Sequence, residues 1–487
     1  MSLARKAARG ALWTVASSIG GRAVGVIGTL VMTRFLHPDQ IGEVSDATIL
    51  CMTASWLTIW GFGQYTVVKG RGDDQREVTW HATVFYIGLG TLSLGLMALF
   101  GGHLTHLVSA PHAAKYVPGM ALAIYIRRLG AMPERILTQR MEFRPSGIAM
   151  AAGESVYTIS ALSLAALGWG GMSIVVANIV QSTCVVAILI KAAGVRSWAT
   201  PTPLRWARIK DMLRFGVPLG IQANAHSASR YWDNLAISHY FGTGALGAYN
   251  MAYNLADIPA IQVGEQIALV LLPSMAELPR DRRARALERS TALLSVIIFP
   301  LAVGLGFVAY PLIACILPGN DWQEVAPLLT VLACLSVFRP ITWVLSAYME
   351  AEQKTNKLMF LEIAKVGVLI GGIGMLSPHG LRVASSAVGI AFGLTAIGGV
   401  AMVMREGPSP KRLFIGFLQP LAACAVMGAA VWLVHHGLRA ADVGHPVVYL
   451  LTEIIVGASA YVIAALILCR ATSKDLLGLL KQALKRN

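Results

Sequence analysis

The sequence has few charged residues: Asp, Glu, Lys and Arg together make up 13% of its 487 residues. Soluble globular domains are about one quarter charged and about half apolar at most. Here 55% of the residues are apolar, and the mean hydropathy is +0.62. A chain of this composition cannot cover its surface with polar groups. It is therefore predicted to be an all-α integral membrane protein.

The sequence also lacks the motifs of several enzyme classes. Its six cysteines form no CxxC or Cys/His cluster, so neither a disulfide framework nor a metal site is predicted. There is no G-x-x-x-x-G-K-[ST] phosphate loop, no HExxH and no GxSxG. No connection between apolar runs exceeds about 25 residues, which is too short for an extramembrane domain. We predict a transporter without a cofactor rather than an enzyme; a membrane glycosyltransferase or polymerase is the more distant alternative.

Apolar runs of the length that crosses a bilayer, about 20 residues, recur along the chain. They predict about fourteen transmembrane helices, near residues 12–35, 41–67, 80–102, 114–135, 147–168, 171–192, 213–238, 245–272, 290–314, 325–349, 358–377, 382–403, 413–436 and 446–469.

The distribution of positive charge predicts the orientation of these spans. The net charge is +15, but the basic residues lie in short runs between spans, so nucleic acid is not a predicted partner. With both termini in the cytoplasm, 30 of the 40 Lys and Arg residues fall on the cytoplasmic side. Basic residues in short loops resist translocation across the membrane. Both termini are therefore predicted to be cytoplasmic.

Two stretches resemble each other, residues 35–42 after the first span and residues 240–247 after the seventh. Each has an aromatic residue, a turn, and then an apolar residue followed by glycine. Six spans separate them, which predicts a parallel repeat of two six-helix lobes around a central cavity. The predicted parts are an N-lobe (1–195), a cytoplasmic linker (196–212), a C-lobe (213–404), and two further spans with a cytoplasmic amphipathic tail (405–487).

Polar residues deep inside the apolar runs are candidates for the transport site, because a charge in the bilayer costs several kcal/mol. His226, Arg230, Asp233 and Asn234 form one stripe at helical spacing on span 7. Arg22 lies near the middle of span 1, the repeat counterpart of span 7. We expect Arg22 and Arg230 to meet across the cavity, where two guanidinium groups would bind a pyrophosphate or an acidic sugar.

Other deep charges complete the predicted site. The further candidates for substrate binding are Arg127, Arg128 and Arg339. The candidate carboxylates for ion or proton coupling are Asp257, Glu265 and Glu154. Structural ion pairs are the open alternative for any of these charges, and Glu362 with Lys365, three residues apart, is predicted to form one.

Short segments, in order along the chain, resemble the Wzx-type polysaccharide flippases. They are GALW (10–13), TRFLHPDQIG (33–42), RMEFR (140–144), LRFGVPL (213–219), DNLAI (233–237), LGAYNMAYNLADIP (246–259) and LPSM (272–275). His239 departs from the pattern, since the related sequences usually have a small residue there.

The resemblance implies a member of the multidrug/oligosaccharidyl-lipid/polysaccharide exporter superfamily in the bacterial inner membrane. It implies that an oligosaccharide repeat unit on undecaprenyl pyrophosphate moves from the cytoplasmic to the periplasmic leaflet by alternating access. The product would be O-antigen, capsule or exopolysaccharide, and the implied partners are membrane lipids, a polysaccharide polymerase and export proteins. A lipid II flippase and a drug/cation antiporter of the same superfamily are the alternatives.

Overall fold

The computed structural model describes residues 25, 27–69, 74–107, 109–140, 142–259, 275, 278–317, 319, 321–352, 354–404, 407–442 and 445–485. Within these residues all regular secondary structure is helical, which confirms the predicted all-α class. The chain divides into two compact units, Met1–Gly247 and Ala248–Asn487. The predicted lobes 1–195 and 213–404 rest on the sequence repeat, and they stay a prediction.

Seven α-helices and most of an eighth belong to the first unit: α1 (Pro38–Trp56), α2 (Phe62–Lys69), α3 (Gln75–Leu107), α4 (Val117–Leu129), α5 (Ala131–Gln139), α6 (Phe143–Ala166), α7 (Met172–Ala193) and α8 (Trp206–Pro259). The second unit adds α9 (Arg280–Phe307), α10 (Ala309–Ile316), α11 (Val325–Leu335), α12 (Arg339–Ala351), α13 (Thr355–Leu376), α14 (Leu381–Val403), α15 (Pro410–Ala440), α16 (Pro446–Leu468) and α17 (Arg470–Lys485).

Among the described residues, nine helices are long and apolar enough to cross a membrane. Their outer surfaces carry large apolar side chains, including Leu99, Met375 and Ile467, which are 70–80% exposed. Water does not tolerate so much apolar surface, whereas lipid does. The protein is therefore a multi-pass membrane protein, and the count of fourteen spans stays a prediction.

Helix α8 is interrupted at Gly242, whose φ of 85° lies in the left-handed region that favours glycine. The interruption falls where predicted span 7 ends and predicted span 8 begins. We call residues 206–241 the first arm of α8 and residues 243–259 the second arm. The first arm and residues 243–247 lie in the first unit, and the rest of the second arm, residues 248–259, lies in the second unit.

The two stretches with similar sequences pack against each other within the first unit. A Cβ atom on Gly42 would overlap the carbonyl oxygen of Thr243, and one on Gly247 would overlap the carbonyl oxygen of Pro38. The start of α1 and residues 243–247 therefore approach to backbone contact, which only glycine permits. The apolar-Gly ending of each stretch has a packing role.

In the second unit, α9 lies at the centre of the packing. It contacts α12 around Leu294, Ile298 and Val344, which are buried in one apolar cluster. It also contacts the two last spans: Phe299 packs edge-on against Phe417 of α15 at 5.0 Å. The hydroxyl of Tyr461 on α16 donates to the carbonyl of Val296 at 2.8 Å. Helices α15 and α16 are thus an integral part of this unit.

The last described helix, α17 (Arg470–Lys485), is tied to the first third of α9, and its predicted cytoplasmic position stays a prediction. Arg289 donates two hydrogen bonds to Asp475, at 2.6 and 2.5 Å. The Arg289 guanidinium holds the pKa of the Asp475 carboxyl below its usual value. Both side chains are partly exposed, so the pair contributes about 0.2–1 kcal/mol.

Asp475→Asn is expected to loosen α17 and to leave the rest of the fold unchanged. Because the pKa of Asp475 is lowered on docking, the stabilisation is complete above its unfolded value of 3.8 and is lost as the pH falls through the lower docked value. Hydrogen exchange of residues 470–485 at neutral pH measures the effect. The control is Lys474→Gln, at an exposed neighbouring position. Equal loosening in both variants would show that the Arg289 pair does not hold the helix.

Candidate functional site

The first arm of α8 carries the predicted polar stripe. His226 is exposed, Arg230 is half-buried, and Asp233 and Asn234 are buried at 1% and 4% exposure. The side-chain amide of Asn234 donates to Asp233 at 3.2 Å. The stripe therefore runs from an accessible imidazole to a buried carboxyl along one helix, as its spacing predicts.

Contacts between α1 and α8 fix the direction in which this stripe points. Tyr231 packs on Trp56 with 5.2 Å between ring centroids, and the indole of Trp232 donates to the hydroxyl of Thr53 at 3.2 Å. Successive residues of a helix are about 100° apart. The stripe that contains Arg230 therefore lies on the face of α8 that is turned away from α1.

Arg127 and Arg128 are adjacent on α4 but differ in burial. Arg127 is exposed, whereas Arg128 is buried at 4% exposure. The Arg128 guanidinium donates to the carbonyl oxygens of Ser55, Thr58 and Tyr86 and to the hydroxyls of Ser55 and Thr58, at 2.8–3.2 Å. The Thr58 carbonyl lies between the end of α1 and the start of α2, so Arg128 binds a backbone group at a break in the second predicted span.

The second unit contains a buried cluster of charges. Arg339 on α12 forms an ion pair with Asp257 on the second arm of α8, and each side chain is 8% exposed. The Arg339 guanidinium also lies over the rings of Tyr253 and Phe392, at 5.3 and 5.0 Å. A cation over an aromatic face gains further stabilisation. Arg339 and Asp257 therefore join α8, α12 and α14.

Lys365 and Glu362 on α13 extend this cluster. Their ion pair is present as predicted, with 2.7 Å between Nζ and the carboxylate. The Lys365 ammonium lies 5.1 Å from the centre of the Phe392 ring, which Arg339 also contacts. Two cations and two carboxylates thus meet around one aromatic side chain, and their formal charges cancel.

Two predicted residues, Arg22 and Glu265, lie outside the described residues, so the predicted meeting of Arg22 with Arg230 stays a prediction. Glu154 on α6 accepts a hydrogen bond from the side-chain amide of Gln181 on α7 at 3.0 Å. The substrate-binding and coupling roles of all these residues likewise stay predictions.

Sequence reasoning missed two carboxyl groups. Asp46 on α1 is fully buried, and Glu453 on α16 is 1% exposed and contacts the imidazole of His435 at 2.7 Å. Each is the acidic residue nearest the middle of an apolar run. Their position was the available signal, and an acidic residue inside a span marks a functional candidate.

Comparison of the sequence with protein families gives a match over more than half of the chain. The model for the family described as "Polysaccharide biosynthesis protein" matches residues 31–327. The succinoglycan biosynthesis transport protein ExoT of Rhizobium meliloti (strain 1021) is 26% identical over 98% of this chain and 96% of its own length. The lipopolysaccharide biosynthesis protein WzxC of Escherichia coli (strain K12) is 20% identical over 77% of this chain and 75% of its own.

Solved structures with a similar fold are also transporters. The lipid II flippase MurJ, in an inward closed conformation, has a TM-score of 0.75 with 15% identity, and the match covers 94% of this chain and 99% of that one. An inward-facing multidrug resistance MATE family transporter of the MOP superfamily has a TM-score of 0.65 with 16% identity, over 78% and 94% of the two chains. At these identities the likeness concerns the fold alone. The predicted resemblance to Wzx-type transporters is confirmed by the sequence relatives.

Proposed function

Since the chain belongs to the polysaccharide biosynthesis protein family, we propose that it flips undecaprenyl-pyrophosphate-linked oligosaccharide repeat units across the bacterial inner membrane. The chain is a multi-pass membrane transporter of polysaccharide biosynthesis and not an enzyme. The direction is from the cytoplasmic to the periplasmic leaflet, with both termini in the cytoplasm. Polymerase and export proteins would use the product.

One observation carries this proposal. The relative ExoT is named as the transport protein of succinoglycan biosynthesis, and its similarity extends over 98% of this chain. A polysaccharide repeat unit is assembled on a lipid carrier, so its transport requires a site for an anionic headgroup within the membrane. The first arm of α8 offers an arginine on a polar stripe, and a guanidinium matches the geometry of phosphate oxygens.

The proposed mechanism is alternating access. The headgroup would enter a polar cavity while the lipid tail stays in the bilayer, and the two lobes would then open to the other side. The sequence contains no nucleotide-binding loop, so an ion gradient, the membrane potential or consumption of the product would supply the energy.

Deletion of the gene tests the substrate. Extracted lipids, analysed by mass spectrometry, are expected to accumulate an undecaprenyl-pyrophosphate oligosaccharide, and the same species should return to wild-type levels on complementation. The mass of the species would also name the sugar composition. Unchanged lipid extracts would refute the proposal.

The same deletion distinguishes the proposed function from the alternative of a lipid II flippase. This alternative is supported by the structural match to MurJ, which covers 94% of the chain, although that match concerns only the fold. Loss of a sole lipid II flippase would be lethal and would enrich lipid II in the extracts. Viable cells that lack surface polysaccharide would instead support the proposed substrate.

A further inference from the structure

The middle of α1 contains a carboxyl group that is completely buried. Asp46 is 0% exposed. Its Oδ2 accepts a hydrogen bond from the hydroxyl of Ser238, on the first arm of α8, at 2.5 Å. Its Oδ1 is buried and has no hydrogen-bond partner. The Ser238 hydroxyl is thus the single hydrogen-bond partner of this carboxyl group among the described residues.

Buried apolar side chains flank the Asp46–Ser238 contact on both helices, since Ala47 and Ile49 on α1 and Ile237 on α8 are at most 4% exposed. The other face of α1 is apolar as well. Val44 and Ala47, its neighbours on α1, belong to one buried cluster that joins α1 to α3 and α4. The buried members contributed by α3 and α4 are Leu94, Met97, Val117, Met120 and Ala121, and Ala98, Ile124 and Tyr125 pack against them. The Tyr125 hydroxyl accepts a hydrogen bond from Thr91. This part of the unit is a low-dielectric environment.

Charged and titratable groups on the elements around α1 have contacts elsewhere. Lys115, in the turn before α4, pairs with Glu43 at 3.0 Å, and Arg128 on α4 bonds to Ser55 and Thr58. The imidazole of His239 on α8 contacts Ser109. Other such groups are Cys51, whose thiol donates to the Val117 carbonyl, Tyr116, whose ring contacts the Lys115 ammonium, and Arg230 and Asp233, on the stripe turned away from α1.

An ionised carboxylate in such surroundings is expensive. Burying a charge without a countercharge costs several kcal/mol, whereas a neutral acid with one hydrogen bond costs much less. We propose that Asp46 is a proton-binding site of this transporter, and that the bound proton holds α1 against the first arm of α8. When the proton leaves, the carboxylate requires water, so α1 and α8 separate.

A row of carboxyl groups leads from the start of α1 to Asp46. Asp39 is exposed, the Glu43 side chain is 12% exposed, and Asp46 is buried. Spacings of four and three residues place the three groups on one face of the helix. The row is about 10 Å long at 1.5 Å per residue. Chains of acidic residues conduct protons in membrane transporters. Glu43 is paired with Lys115, so this row would pass a proton from bulk water only while that pair is open.

The inference rests on the proposed function and names its energy source. The predicted coupling residue Asp257 has the countercharge of Arg339, so it is stabilised as an anion without a proton. Asp46 has no such countercharge among the described residues. A proton gradient would therefore act on the contact between α1 and α8, with one proton taken from water and later returned to water in each cycle.

Infrared difference spectroscopy of the purified protein in lipid nanodiscs tests the bound proton without any substrate. A band of a buried, protonated carboxylic acid is expected at neutral pH, and Asp46→Asn should remove it. Ser238→Ala should keep the band at a higher frequency, because the acid loses a hydrogen bond. Glu134→Gln, at an exposed carboxyl group of α5 outside the row, should leave it unchanged. Absence of the band in the wild-type protein, or its persistence in Asp46→Asn, would overturn the proposal.

Hydrogen exchange between pH 5 and pH 10 tests the consequence for packing. Protection of residues 38–56 and 228–241 should be lost at high pH in the wild-type protein and become independent of pH in Asp46→Asn, whose amide cannot ionise. Protection that follows sodium rather than pH would assign the site to a metal cation and refute proton binding. These measurements need no lipid-linked sugar. A failed deletion test with a positive infrared result would therefore refute the substrate alone, and the reverse pattern would refute only the proton site.

Discussion

Arg339→Ala is expected to destabilise the second unit by about 3–5 kcal/mol, because it leaves the buried carboxylate of Asp257 without its countercharge. It also removes the cation that lies over the rings of Tyr253 and Phe392. For a unit of this size the melting temperature should fall by about 10 °C. Thermal unfolding of the purified protein, followed by intrinsic tryptophan fluorescence, measures the change.

Two further variants test whether the loss of stability in Arg339→Ala arises from the burial of its ion pair. Arg382→Ala removes an arginine of the same unit whose pair with Glu324 is more than half exposed, and it should cost at most about 1 kcal/mol. The double variant Arg339→Leu with Asp257→Leu removes both charges and should recover most of the loss. If the double variant were as unstable as the sum of the two single variants, the interaction between Arg339 and Asp257 would contribute no stability.

The balanced charge cluster has a consequence for the predicted site. Arg339 and Lys365 each have a carboxylate partner within the second unit, and both lie over Phe392. Binding an additional anion there would require one of these pairs to break, at a cost of several kcal/mol. The contacts therefore favour a structural role for Arg339. In the first unit Arg128, whose donors reach five acceptors, has the same character.

The fold was largely predictable from the sequence because lipid imposes one requirement on every segment. Backbone groups in a bilayer must bond within their own helix, so a long apolar run specifies a helix with little dependence on context. Composition could not show where a run is broken. Residues 57–61 interrupt the second predicted span, and Arg128, about 70 residues away in the sequence, donates to the carbonyls of Ser55 and Thr58 at this interruption.

The candidate site was less predictable, because a site depends on which faces of helices meet. Helical spacing identified the stripe of His226, Arg230, Asp233 and Asn234, since that pattern lies within one helix. Spacing could not distinguish Arg128 from Arg127, whose environments differ only through packing on α1 and α3. The contact of Asp46 could not be predicted from local spacing because its partner Ser238 is 192 residues away in the sequence.

Arg230→Ala is expected to abolish polysaccharide export while leaving the amount of protein in the membrane unchanged. Arg230 is half-buried on the accessible side of the stripe, between exposed His226 and buried Asp233. An anionic headgroup that reaches the stripe would meet its guanidinium. Loss of one charge-assisted contact of this kind costs about 2–5 kcal/mol, which corresponds to at least about a thirtyfold loss of affinity. Surface polysaccharide and accumulated lipid-linked oligosaccharide measure the defect.

Two matched variants separate phosphate binding from a simple need for positive charge. Arg230→Lys keeps the charge but loses the paired donors, so it should restore export only in part. Arg214→Ala removes an exposed arginine near the start of the same helix and should export normally. Full export by Arg230→Ala would remove this residue from the site. If Arg230→Ala instead lowered the amount of protein in the membrane, its guanidinium would stabilise the fold, and the headgroup would have to bind elsewhere.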